Sequence, residues 1–79
     1  MYPLIIATVD KTLYSGDVVL TTCPGSEGEL TIMANHTPLI TTLKKGTITV
    51  KENHDSDPET FDVERGLLEV ANNRATILI

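Results

Sequence analysis

The chain has 79 residues, 41% of them hydrophobic, with a mean hydropathy of +0.02; this describes one small globular domain over residues 1–79 and excludes a disordered tail or a second independent core. Six Lys+Arg against eleven Asp+Glu give a formal net charge of −5, a field that repels phosphate backbones, so nucleic acid is not an expected partner. A chain this short buries only about 60–65% of its unfolded surface, so a partner covering part of the remainder is expected from the outset.

No stretch shows a helical period. Segments rich in Thr, Val, Ile and Leu recur between Gly, Pro, Asn and Asp, which predicts an all-β fold, a sandwich or barrel of about eight short strands. The strands are expected near residues 4–9, 17–23, 29–32, 39–43, 47–52, 59–64, 67–71 and 74–79. Along the second of these lies Cys23, the only cysteine, which permits no internal disulfide and no Cys-rich zinc site, and fits a reducing compartment. Gly25-Ser26-Glu27-Gly28 has two of the glycines of a phosphate cradle but acids in place of its Lys, and reads as a turn whose acidic tip can meet a partner.

Asn35-His36-Thr37 matches a glycosylation sequon, but Pro38 follows directly and no secretion signal is read, so it is taken as a stiff turn with Asn35 at positive φ. That turn presents His36 either as a hydrogen-bonded structural residue or as an interface residue. In 47–51 the alternation places Ile48 and Val50 on one face, a pattern that Phe61 and Val63 repeat. Between them, Asp55, Asp57 and Glu59 alternate like the start of a calcium loop, but the positions that need Gly and a bidentate Glu hold Thr60 and Gly66. Asn72-Asn73 predicts a tight primed hairpin, after which Leu68, Val70, Ile77 and Ile79 can line one buried face. No apolar run approaches the roughly 18 residues of a membrane span, and no secretion signal is read. His36 and His54 lack the context of a catalytic base, so no catalytic residue, cofactor or metal is expected.

Residues 25–41, Gly25-Ser26-Glu27-Gly28-Glu29-Leu30-Thr31-Ile32-Met33-Ala34-Asn35-His36-Thr37-Pro38-Leu39-Ile40-Thr41, with Leu43 and Gly46, closely resemble the signature of the epsilon-subunit N-terminal domain of F-type ATP synthases. Tyr14-Ser15-Gly16 upstream and Gly66-Leu67-Leu68-Glu69-Val70 with Asn73 downstream extend the resemblance over essentially the whole chain. Thr31 stands where that family usually has Gly, Ala34-Asn35 replaces Pro-Gly, and Arg65-Gly66 replaces Gly-Gly. The resemblance implies a flattened two-sheet β-sandwich of about eight to ten short strands, acting as a non-catalytic central-stalk (rotor) subunit. Its implied partners are the gamma subunit and the membrane c-ring, and Ser26, Glu27, Glu29 and His36 carry over as partner-binding residues. It further implies membrane association only through the complex, at the cytoplasmic face of a bacterial plasma membrane. The family usually adds two C-terminal helices that inhibit hydrolysis; a complete chain is expected to couple without that inhibition, whereas in a fragment the missing part is expected to begin just after Ile79. The competing reading is a free-standing β-domain that binds a metal or small ligand through Asp55, Asp57 and Glu59, with His54.

Overall fold

The computed structural model describes all residues, 1–79. Nine strands form: β1 (Tyr2–Ala7), β2 (Thr12–Val18), β3 (Leu20–Gly25), β4 (Gly28–Ile32), β5 (Leu39–Leu43), β6 (Gly46–Lys51), β7 (Glu59–Val63), β8 (Gly66–Ala71) and β9 (Arg74–Leu78). One strand expected over 17–23 is in fact parts of two: the chain breaks at Val19 and passes from β2 to β3. The remaining expected strands appear with ends shifted by no more than two residues.

Hydrogen bonding links the strands in the order β2-β1-β9-β8-β5-β3-β6-β7, with β4 on the other side of β3. The β3–β5 junction is a single pair, Gly25 with Leu43, so the sheet folds there into two layers. One layer is β2-β1-β9-β8-β5 and the other is β4-β3-β6-β7. All ladders are antiparallel except that between β1 and β9.

Period-two alternation fills the space between the layers. Tyr2, Leu4 and Ile6 of β1 are buried while Pro3 and Ile5 face out, and Leu68, Val70, Ala75 and Ile77 line the same core from β8 and β9. Val18, Cys23, Ile32, Leu43, Ile48, Val50 and Val63 complete the cluster, with Ile79 packed at its border. The Tyr2 hydroxyl lies 2.7 Å from the Thr21 hydroxyl and 2.9 Å from the Ile32 carbonyl. Its single proton goes to the carbonyl, which can only accept, and Thr21 donates in turn; this three-way contact pins the two layers to each other. Burial pushes the Tyr2 phenol upward from its ordinary value, and no buried side-chain polar atom lacks a partner.

The layers also meet at their far margins. Tyr14 on β2 and Phe61 on β7 make an edge-to-face contact with centroids 5.9 Å apart, so the two ends of the strand order touch through side chains rather than a ladder.

Candidate partner-binding site

Strand register gives the molecule two distinct ends. Gly25 pairs with Gly28 and Leu43, Leu43 with Gly66, Gly46 with Val63 and Ala7 with Thr12, which gathers the turns at 8–11, 26–27, 44–45 and 64–65 at a hairpin end. Ala71 pairs with Arg74, Val50 with Glu59 and Thr21 with Ile32, which gathers the Asn72-Asn73 turn and the 33–38 and 53–58 segments at a loop end.

The Ser26-Glu27 turn is built by its flanking glycines. Gly28 has φ 134°, a conformation side chains rarely adopt, and a Cβ on Gly25 would stand 2.6 Å from the Gly28 carbonyl oxygen. Ser26 then anchors the turn to β5: its amide donates to the Thr42 carbonyl at 3.0 Å and its hydroxyl lies 2.7 Å from that of Thr42. Glu27 and Glu29 are exposed, Glu29 opposite Pro24 near the top of β4.

His36 lies at the other end. The Asn35 turn takes φ 62° as its residue type predicts, the His36 amide donates to Met33 at 3.2 Å, and the Asn35 amide donates to Asn73 Oδ1 at 2.7 Å. His36 Nδ1 lies 2.7 Å from the Thr37 carbonyl; since the carbonyl only accepts, Nδ1 carries the proton and Nε2 is the ring's free acceptor. His36 is thus half-buried and locally bonded, yet retains a group for a partner. Of the four expected site residues, the structure groups Ser26, Glu27 and Glu29 and sets His36 apart by the length of β4, roughly 17 Å for a five-residue strand.

Two features escaped the sequence reading. Lys44 and Lys45 form the turn beside Ser26-Glu27, tied to it by the bond from the Lys44 amide to the Pro24 carbonyl at 2.9 Å. Across the outer face of β1, β9, β8 and β5, Ile5, Leu78, Leu67 and Ile40 are exposed, with Leu67 directly opposite Leu78. Alternation read for burial leaves this second face unexamined, although its apolar residues were visible. The departures at Thr31 and Arg65 are accommodated simply: both are exposed and neither has positive φ, so no glycine is required there.

The groups needed for chemistry do not converge. No three His, Cys, Asp or Glu side chains group as a metal site, so His54, Asp55, Asp57 and Glu59 form no coordination set. Instead, the 53–56 turn closes on itself, with Asn53 Oδ1 accepting from the Asp55 amide at 3.0 Å and the Asn53 amide donating to Ser56 Oγ at 3.1 Å. Cys23 is fully buried, and burial pushes its thiol up to about 12, which withholds the thiolate a nucleophile requires. A depression of about 150 Å³ lined by Pro3, Ile5, Arg74, Ala75 and Thr76 opens on the outer face of β1 and β9. No helix of the protein is long and apolar enough to cross a membrane.

Fold and surface together define a small two-layer β-sandwich with exposed turns at both ends. The whole chain, residues 1–79, matches the family model described as the ATP synthase Delta/Epsilon chain beta-sandwich domain, and the chain belongs to that family, a non-catalytic part of the synthase. It is 38% identical over 69 residues to the ATP synthase epsilon chain of Caulobacter vibrioides, covering 87% of this chain and 78% of that protein. It is 35% identical to that of Chlorobium limicola over 98% of this chain and 86% of the relative, and 38% identical to that of Dichelobacter nodosus over 98% of this chain. The chain spans only 53% of the Dichelobacter protein. Among solved structures, a chain of the Euglena gracilis mitochondrial ATP synthase OSCP/F1/c-ring assembly superposes with TM-score 0.85 at 19% identity, over 95% of this chain and 48% of that one. A chain of the Tetrahymena thermophila mitochondrial ATP synthase central stalk/c-ring superposes with TM-score 0.79 at 17% identity, over 96% of this chain and 60% of that one. At these identities the two structures establish the shared fold.

Proposed function

We propose that this domain is a rotor piece of an F-type ATP synthase, joining the gamma subunit to the c-ring and so coupling ion translocation to ATP synthesis and hydrolysis. The observation that carries this reading is the separation of the candidate contacts: Ser26, Glu27 and Glu29 at one end of the sandwich and His36 at the other let one small body hold two partners at once. Family membership supports the assembly, and the reading extends to peripheral attachment through the complex, at the cytoplasmic face of a bacterial plasma membrane. A stiff part suits this work, because two interdigitated layers sharing one core and pinned by Tyr2 resist shear. The exposed apolar strip on β1, β9, β8 and β5 supplies a further surface for gamma. Ring loops bearing cations meet Glu27 and Glu29, an arrangement that sets register and steers docking more than it adds affinity.

Co-purification with gamma and coupled ATP synthesis after reconstitution test the reading. Glu29→Lys is expected to keep the fold and to weaken ring attachment about two- to fivefold, with the deficit shrinking as salt screens the contact. A head-and-ring assembly that stays intact and fully coupled without this protein overturns the proposal.

A further inference from the structure

We propose that two copies of the free chain pair face to face through the outer surface of the β2-β1-β9-β8-β5 layer, and that gamma displaces the second copy; only the displacement rests on the rotor role above. The outward residues of a sandwich strand are expected to be polar, since water covers them. This layer departs from that pattern. Four of the seven large hydrophobic residues that the protein exposes, Ile5, Ile40, Leu67 and Leu78, lie on its outer face, and Leu67 stands directly opposite Leu78, so the face has the composition of a contact surface.

The charges on the face select the occupant. Glu69 of β8 stands opposite Thr76 of β9, and Arg74 lies two residues before Thr76 on the same strand, which makes Glu69 and Arg74 diagonal neighbours roughly 7–8 Å apart. Both are exposed. A twofold axis lying in the plane of the face, midway between them, sets Arg74 over the partner's Glu69 and Glu69 over the partner's Arg74. The face therefore carries its own complement, and what it fits is a second copy. The depression of about 150 Å³ that Arg74 lines with Pro3, Ile5 and Thr76 offers the incoming carboxylate side chain a seat. Asp17, Glu69 and Arg74 are the only charged residues in the five strands, two negative against one positive, so the layer carries −1 of the chain's −5. The rest of the repulsion acts from farther away, where salt screens it. Five strands about 4.8 Å apart and about six residues long present roughly 500 Å² a side, or about 1,000 Å² for the pair, the lower limit of a specific interface. The pairing is accordingly weak and reversible, and it covers the apolar strip assigned above to gamma.

Sedimentation velocity of the full chain between about 1 and 500 µM tests this. A monomer–dimer equilibrium is expected with a dissociation constant of about 10–100 µM. Arg74→Glu and Glu69→Arg each place like charges across the axis twice, and each is expected to weaken the dimer at least about fivefold with the far-ultraviolet circular dichroism unchanged. An equimolar mixture of the two variants should associate as tightly as the parent, because every charge of one then meets its opposite on the other. A chain that stays monomeric at every concentration overturns the proposal, as do single variants that pair like the parent or a mixture that fails to recover. Should either variant fail to fold, the amide resonances of the parent on dilution decide: shifts confined to β1, β9, β8 and β5 support the pairing, and shifts elsewhere overturn it. Gamma is expected to convert the dimer into a complex holding one copy. A complex that keeps both copies overturns the displacement and the placing of gamma on this strip, whereas failure to bind gamma at all overturns the rotor role and the displacement with it; the dimer itself is decided by the variants.

Discussion

Asn73 serves the candidate site twice from one position. Its backbone, at φ 56° after Asn72 at 53°, closes the β8–β9 hairpin, and its Oδ1 accepts the Asn35 amide at 2.7 Å, which holds the His36 turn against that hairpin. Glycine adopts the same φ freely, so Asn73→Gly isolates the side-chain bond from the turn geometry. It is expected to lower stability by about 0.5–1.5 kcal/mol in urea denaturation and to accelerate exchange of the Asn35 amide. An unchanged Asn35 exchange rate would show that the turn does not depend on this bond. The positive φ at Asn35, Asn72 and Asn73 was legible in the sequence because it follows from a preference of each residue alone. The bond between Asn35 and Asn73 was not, since it joins positions 38 apart and exists only after the two layers assemble.

Strand β2 is tied to the end of β6 through chemistry that responds to pH. The Tyr14 hydroxyl donates to Glu52 Oε2 at 2.8 Å; burial first, and then the Glu52 carboxylate, push its phenol up to about 12 from an ordinary 10.0. A raised value favours the protonated phenol in the folded state. The stabilisation is therefore complete below pH 10.0 and is lost as pH rises through about 12. Tyr14→Phe keeps the ring contact with Phe61 and removes the titrating group, so its urea midpoint should fall less steeply than that of the parent above pH 10.0. Parallel slopes would refute this link between Tyr14 and Glu52. The same strand marks where the sequence was least readable. In β6 and β8, fully buried residues alternate with more exposed ones and announce the strand, but β2 runs through Tyr14-Ser15-Gly16-Asp17 with a mixed burial pattern. Its residues 17 and 18 were consequently merged with β3. Side chains along β2 are only partly buried because this edge meets β7 by aromatic contact alone, so the period that reveals a covered strand is weak there.

Charge is distributed unevenly over the whole molecule, and this refines what the acidic turn can do. Four of the six basic residues, Lys11, Lys44, Lys45 and Arg65, lie at the hairpin end beside the four acids Asp10, Glu27, Glu29 and Glu64, leaving Lys51 and Arg74 against seven acids elsewhere. The end expected from its sequence to be an acidic tip is therefore nearly balanced, because the Lys44-Lys45 turn, 17 residues beyond Glu27, folds back against it. A cationic surface that pairs with Glu27 and Glu29 must keep its charges clear of the two lysines, so the lysines fix where it can sit and weaken how tightly it holds. Replacing Lys44 and Lys45 together by Gln removes that repulsion. At low ionic strength the double variant is expected to bind the ring about two- to fivefold more tightly than the parent, and at high salt the two should converge, since exposed pairs of this kind contribute roughly 0.2–1 kcal/mol. Sedimentation of reconstituted ring with each protein at two salt concentrations measures the difference. Weaker binding by the double variant would instead mean that Lys44 and Lys45 themselves meet anionic groups, which would move the ring contact from the β3–β4 turn to the β5–β6 turn.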